Sequence, residues 1–375
     1  MDVPVEQSEV SSQERLVSLD ALRGFDMFWI IGGCGIVAGL GKGLNSPWFN
    51  QYIAPQIDHV RWEGFVAWDL IMPLFLFVVG VAMPFSFAKR LVEGQSKTRI
   101  YVHVFVRVAI LWVLGMIAQG HLLEYDLSTL QLYSNTLQSI AVGYLIAAIL
   151  LLTLSLRWRL IVTGGLLLLY WGLLALVPVP GSTEGHFSEQ GNLAIYIDRL
   201  ILGHFQDGTN PPYTWILSSM TFAATIMIGN FAGRLLRSRQ AAPQKVLILL
   251  GSGVACVLVG ALWGMVFPII KHLWTSSMVV YAAGWSLLLL GIFYLLIDVL
   301  RLRFLGYFFV VIGMNAIAAY MATHVFDFPQ LGDIFVGNLG KWTGDWQDFI
   351  RALTAFVILW LILFYMYRKK TFIKI

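Results

Sequence analysis

Stretches of about 20 predominantly apolar residues recur along nearly the whole chain, beginning near Ala21, Phe65, Tyr101, Thr136, Leu160, Thr214, Val246, Met278, Phe304 and Ala352. That length is what an α-helix needs to cross the hydrocarbon of a bilayer. Hydrocarbon offers no water to an unpaired backbone N–H or C=O, so each stretch has to pair its own backbone as a helix. The pattern predicts an all-α polytopic membrane protein with about ten transmembrane helices. Composition agrees: 58% of the 375 residues are hydrophobic and 12% are charged, which is too apolar for a soluble domain.

Residues 1–14 are polar and acidic, unlike the basic leader of a signal peptide, so the first apolar stretch is expected to be a retained span. The organisation expected is a cytoplasmic N-terminal segment, 1–20, followed by one transmembrane domain, 21–375, with no internal repeat or soluble domain. Basic residues fall in alternate connections: Lys89, Arg90, Lys97 and Arg99; Arg157 and Arg159; Arg234, Arg237, Arg239 and Lys245; Arg301 and Arg303; Arg368, Lys369 and Lys370. The positive-inside rule makes these connections cytoplasmic and puts both termini inside. Segments 41–64, 178–213 and 327–348, with the turns near Glu124 and Lys271, then face outward. Between Pro178-Val-Pro-Gly-Ser and Asn210-Pro-Pro, residues 192–202 form an amphipathic stretch that predicts a short interfacial helix. The formal charge of +4 is distributed as topology alone would place it, so no nucleic-acid partner is expected.

Cys34 and Cys256 each lie in an apolar stretch, where a small packing role outweighs a disulfide framework. No metal is expected, because no pair of ligands stands at helical spacing. Ile31-Gly-Gly-Cys-Gly35 follows no strand and lacks a Lys-Ser/Thr ending, so its glycines read as sites of close helix contact and not as a phosphate loop.

Chemistry concentrates beside the second span, in Asp58-His59-Val60-Arg61-Trp62-Glu63-Gly64 and Trp68-Asp69. Ionisable groups beside hydrocarbon are costly to desolvate and mark sites worth testing. Asp58, Glu63 and Asp69 each offer a carboxylate to orient the His59 imidazole as a general base. Asp58 is the awkward one, since neighbours on a helix face different ways; Asp69 is taken as the orienting partner. The bland alternative stands beside this one: an interfacial histidine at the outer end of the second helix. Trp62 and Trp68 read either as a stacking platform for a sugar or as members of an interfacial aromatic belt.

At the inner end of the first span Asp26 lies one turn from Arg23, a spacing that predicts an ion pair, although a buried arginine also suits a phosphate. Arg107, Asn135, Gln138, Asn230 and Asn315 lie in later spans and need partners away from lipid. Interhelical hydrogen bonds would satisfy them; Gln138 or Asn315 would equally serve as a donor to an oxyanion.

The motifs Arg15-Leu-Val-Ser-Leu-Asp20-Ala-Leu-Arg23-Gly24-Phe25-Asp26, His59-x-x-Trp62-x-Gly64 and Asp69-x-x-x-Pro73-x-Phe75-x-Phe77 resemble the heparan-alpha-glucosaminide N-acetyltransferase family and its bacterial relatives. The resemblance continues through Leu137-Gln138, Leu273-Trp274-x-x-Ser277 and Gly313-Met314-Asn315-Ala316. It implies a transmembrane acyltransferase in a bacterial inner membrane that takes acetyl-CoA, its co-substrate, from the cytoplasm and acetylates an amino sugar or glycan on the far side. It also implies that His59 is the catalytic residue. On this reading Asp69 orients His59, while Asp58, Trp62, Glu63 and Trp68 meet the acceptor. Arg23, Arg107, Gln138 and Asn315 meet the acyl donor. Lipid surrounds the chain and a homodimer is compatible with it. Many members read Leu-Gln-Arg where this chain has Leu137-Gln138-Ser139, and an Asn frequent near the end of the first helix is replaced within Trp29–Gly33. An amino-sugar permease is the competing reading.

The topology is open to direct test. With Cys34 and Cys256 replaced, single cysteines at Ser46 and Ser188 should react with a membrane-impermeant thiol reagent added outside cells, and one at Ser238 should not. The opposite labelling pattern would invert the expected orientation.

Overall fold

A computed structural model describes residues 16–373, and its regular elements there are all helical. In chain order they are α1 (Val17–Phe28), α2 (Cys34–Leu44), α3 (Pro47–Tyr52), α4 (Ile71–Val92), α5 (Lys97–Ala118), α6 (Thr136–Thr153), α7 (Leu156–Leu176) and α8 (Leu193–Leu202). Then come α9 (Ser219–Arg237), α10 (Ala242–Gly264), α11 (Ser276–Phe293), α12 (Arg303–Gly313), α13 (Ala316–Val325), α14 (Phe328–Val336), α15 (Gly340–Thr343) and α16 (Gln347–Arg368). Among the described residues eight helices are long and apolar enough to cross a membrane, or nine if α12 and α13, bent by 52°, form one broken span. The chain is an integral membrane protein by these lengths. Each of the ten apolar segments has a helical counterpart. The segment near Thr214 became α9, whose composition falls short of that apolar standard because it turns Thr221, Thr225 and Asn230 into the protein.

Two boundaries differ from expectation. Helix begins at Val17, inside the segment expected to precede the membrane, and the rest of that segment, 1–15, lies outside the described residues. The first span is also not straight: between α1 and α2 the residues Trp29–Gly33 form a π-turn with a non-helical Gly32, the kind of local break that bends a helix.

By packing, the described chain divides into two compact units, one of residues 76–288 and one of residues 17–75 with 289–375. In the second, α1 packs along α12 and α2 along α16, which also carries α14. Small residues let the backbones meet: a Cβ on Gly24 would fall 1.7 Å from the Phe309 carbonyl oxygen, and one on Gly313 would fall 2.0 Å from that of Asp20. Ala21, Ile297, Val310 and Met314 form a buried cluster at this contact. The carboxylate of Asp298 accepts from the Val17 and Ser18 N–H groups, both at 3.2 Å, satisfying donors that a helix start leaves without intrahelical partners.

In the unit of residues 76–288, α6 packs on α5 and α9, and α9 also meets α7. The predicted interfacial helix is α8, with Asn192 accepting from the Ile195 N–H at 2.9 Å as its N-cap. Its buried Asp198 accepts from the backbone N–H groups of Trp215 (2.7 Å) and Ile216 (3.0 Å), holding the approach to α9. Burial outweighs those two donors and pushes the Asp198 carboxyl up to about 6.

The closest helix contact in this unit runs between α4 and α9. A Cβ on Gly80 would sit 1.9 Å from the Ile226 carbonyl oxygen; on Gly229, 2.1 Å from that of Phe77; on Gly233, 2.2 Å from that of Val81. Gly229 and Gly233 are spaced as a small-xxx-small pair, which lets helices in lipid approach to van der Waals contact. Gly229→Ala should therefore destabilise the protein by about 1–3 kcal/mol through overpacking, whereas Gly164→Ala, whose Cβ meets nothing within 4 Å, should be neutral or slightly stabilising. Thermal unfolding in detergent compares the two; equal melting temperatures would remove the close contact.

Candidate active site on the loop before α4

His59 does not sit on a helix. Residues 58–66 run as irregular backbone between a 3-10 turn, Ala54–Ile57, and a second, Ala67–Leu70, which leads directly into α4. The expected start of the second span near Phe65 thus moves to Ala67, because residues 58–66 give their polar groups to the loop. Gly64 has φ of +129°, a conformation costly for any residue with a Cβ, and this is what the glycine of His59-x-x-Trp62-x-Gly64 supplies. It reverses the loop so that His59 and Asp69, ten positions apart, meet.

The meeting is the main geometric fact of this unit. Asp69 is 1% exposed, and its Oδ1 lies 2.7 Å from His59 Nδ1, while its Oδ2 accepts the Val66 N–H at 3.2 Å. The carboxylate is thereby fixed by backbone before it meets the ring. A carboxylate on Nδ1 holds that nitrogen as the N–H and assigns the basic lone pair to Nε2, the tautomer a general base requires. The imidazole is 39% exposed, so it stands at the surface while its orienting group is buried.

The other candidates take different places. Asp58 accepts the backbone N–H of His59 at 2.8 Å; it shapes the loop and does not address the ring, and the cause is its extended conformation (φ −123°), not a helical facing. Trp68 tilts against the imidazole, centroids 5.9 Å apart, and so buttresses His59. Trp62 is half-buried and Glu63 exposed on the same loop. Gln56 Oε1 accepts the Ala67 N–H at 3.1 Å, tying the two 3-10 turns together.

The ion pair expected between Arg23 and Asp26 is not formed. Arg23 Nη1 lies 3.4 Å from Asp20 Oδ1: the acidic residue lies N-terminal to the basic one, the favoured order along a helix. Asp26 is fully buried, and both its carboxylate oxygens lack a hydrogen-bond partner among the described residues. Sequence reasoning missed this group because spacing alone offered it a partner. Asn315 donates to the Thr371 carbonyl (3.1 Å) and accepts the Ile373 N–H (2.9 Å), so it pins the chain after α16.

Two site candidates belong to the unit of residues 76–288. The Arg107 guanidinium lies 4.5 Å over the Tyr144 ring, with its Nε buried and without a hydrogen-bond partner among the described residues. Gln138 accepts the Ser134 N–H (2.9 Å) and donates to the Leu132 carbonyl (2.6 Å), ordering the residues ahead of α6. Both amides considered as oxyanion donors therefore already donate to backbone carbonyls. Among the described residues no group of three or more His, Cys, Asp or Glu side chains is placed to hold a metal.

Fold and site together define a polytopic helical membrane protein carrying a histidine–carboxylate pair on an irregular loop before a span. Comparison with known proteins gives the resemblance its extent. The chain is 27% identical over 425 aligned positions to human heparan-alpha-glucosaminide N-acetyltransferase, covering 96% of this chain and 60% of that protein. It is 25% identical to the mouse protein of the same name, covering 97% of this chain and 61% of that one. It thus spans about three-fifths of the length of the curated relatives it matches, and these similarities support the family that the motifs suggest. No protein-family model matches the chain.

The His59–Asp69 contact can be measured without any assay of function. In a double-mutant cycle of His59→Ala and Asp69→Ala, read by thermal unfolding, the two changes should be non-additive by about 0.5–3 kcal/mol, as for side chains in direct contact. Strict additivity would mean the pair does not form.

Proposed function

We propose that this protein is a transmembrane N-acetyltransferase that moves the acetyl group of acetyl-CoA to the amine of an amino sugar or glycan, with His59 as base. The observation that carries the reading is the 2.7 Å contact of His59 Nδ1 with the buried Asp69 carboxylate, in a chain similar over its length to two proteins named as such enzymes. His59 Nε2 takes the proton of the attacking amine. The amine nitrogen bonds to the thioester carbonyl carbon, the C–S bond breaks, and the proton held on His59 passes to the departing thiolate, giving the acetamide and free CoA. Asp69 keeps the ring in one orientation throughout. Glu63 and Trp62 lie on the same loop as contacts for the acceptor.

On the donor side Arg23 and Arg107 are the intramembrane cations assigned to the phosphates of CoA, where charge-assisted hydrogen bonds are strong. The Nε donor of Arg107, which has no hydrogen-bond partner among the described residues, favours this role. Gln138 and Asn315 contribute by holding helix ends. The donor is taken from the cytoplasm and the acceptor from outside, in keeping with the basic connections on one side and the His59 loop on the other.

The permease reading has one observation in its favour, the buried Asp26 with no hydrogen-bond partner among the described residues, because ionisable groups inside spans often serve ion or proton movement. CoA release by purified protein, supplied with acetyl-CoA and a panel of amino sugars, separates the two. His59→Ala should lower turnover by about 10²–10⁴-fold, and Asp69→Asn should lower it comparably by losing the tautomer, both in folded protein. If wild type releases no CoA, shows no thermal shift with acetyl-CoA, and carries an amino sugar into proteoliposomes, the permease takes its place.

A further inference from the structure

The unit that bears His59 also contains an open polar recess of about 620 Å³, lined by the end of α2, by α3, by the Ala54–Ile57 turn and by the residues that start α16. The volume lies within the range of small-molecule sites. Its walls come from backbones brought unusually close. A Cβ on Gly39 would lie 2.5 Å from the Phe349 nitrogen, one on Gly41 would lie 2.2 Å from the Phe49 ring, and one on Gly43 would lie 2.7 Å from the Trp346 ring. Gly39-x-Gly41-x-Gly43 therefore fixes α2 against α3 and α16, and the recess is set by packing.

The lining is hydrophilic in a particular way. Asn45, Asn50 and Gln347 bring amides, each both donor and acceptor, and Asp345 brings a carboxylate, all four residues exposed. Lys42 is paired with Asp348 at 2.5 Å, so its charge is already balanced, and Asp345 leaves the wall net negative. Amides and carboxylates, with an aromatic floor at Phe49, suit the hydroxyls of a sugar. The sign of the charge suits an uncharged or amine-bearing sugar and opposes an acidic one.

The recess adjoins the base through the chain itself. Ile57 is in its lining, and the Ile57 carbonyl accepts from Cys34 Sγ at 3.1 Å. Two residues further on stands His59, and two residues of chain span at most about 7 Å. A lining residue of the recess and His59 are therefore near neighbours along the chain.

We propose that the recess is a second-sugar subsite. The acceptor is then at least a disaccharide, whose amine-bearing sugar lies at His59 and whose neighbouring sugar, neutral or itself amine-bearing, lies among Asn45, Asn50 and Asp345. The proposal rests on the acetyltransferase reading for the chemistry, but not for the binding. It departs from what an acidic heparan-type chain would require.

The test uses three acceptors with the purified full chain: glucosamine, a glucosamine disaccharide, and glucosamine linked to a uronic acid. Wild type should show kcat/KM about tenfold higher for the glucosamine disaccharide than for glucosamine, and lower by about 3–10-fold for the uronic acid conjugate than for the disaccharide, the worth of one or two polar contacts. Asp345→Lys should reverse the order of the two disaccharides, and Asn50→Leu should bring the disaccharide-to-monosaccharide ratio toward one. Equal use of glucosamine and its disaccharide by wild type, or an Asp345→Lys variant that scales all three acceptors alike, overturns the subsite. If wild type acetylates none of the three, the enzyme reading has failed instead. Calorimetric binding of the same sugars then decides the subsite alone, by the same ranking or by no binding at all.

Discussion

Helices surrounded by lipid gain little from burying apolar surface against one another, since lipid tails are as apolar as leucine; their association depends on close van der Waals packing. In this chain that packing is made by glycine at points where one helix meets the backbone carbonyl of another: Gly24 on Phe309 and Gly313 on Asp20 in one unit, Gly80 on Ile226 and Gly229 on Phe77 in the other. Close packing at glycine also sets the loop before α4. Gly41 and Gly39 bring α2 against Phe49 and Phe349, and the chain leaving α3 then enters the turn that presents His59. The position of His59 thus descends from contacts that carry no charge.

Within the loop, polar bonds take over. Asp69 is bound first to the Val66 N–H and then to the imidazole, and a carboxylate already satisfied by backbone has little freedom to leave the ring. An unsatisfied buried carboxylate is far more costly than a paired one. The loop therefore favours the arrangement in which His59 faces Asp69, and His59 needs no helix to be positioned.

The spans were legible because bilayer thickness imposes a length that irregular structure cannot imitate. α8 was legible because amphipathic periodicity is local, whereas its Asn192 cap is seen only in the structure. The π-turn at Trp29–Gly33 and the bend between α12 and α13 were not, since both are set by what packs against them. In the site, three carboxylates stood near His59 in sequence and Asp69 was already the partner expected; the irregular loop that brings the two together, with the positive φ of Gly64, is what spacing does not encode. Asp58 was set aside for a helical reason that does not apply, because residues 58–66 are not helical. Arg23 had acidic residues three positions away on both sides, and the one N-terminal to it, Asp20, holds it.

That choice leaves Asp26, and its position bears on how the molecule can work. Neither carboxylate oxygen of Asp26 has a hydrogen-bond partner among the described residues, and burying a carboxyl group without one is costly. The residue lies on α1 three positions before the π-turn, a kind of bulge often associated with functional sites. A buried acid beside a break in the first span is a costly combination, and ionisable groups placed so within spans commonly mark sites that do more than hold helices together.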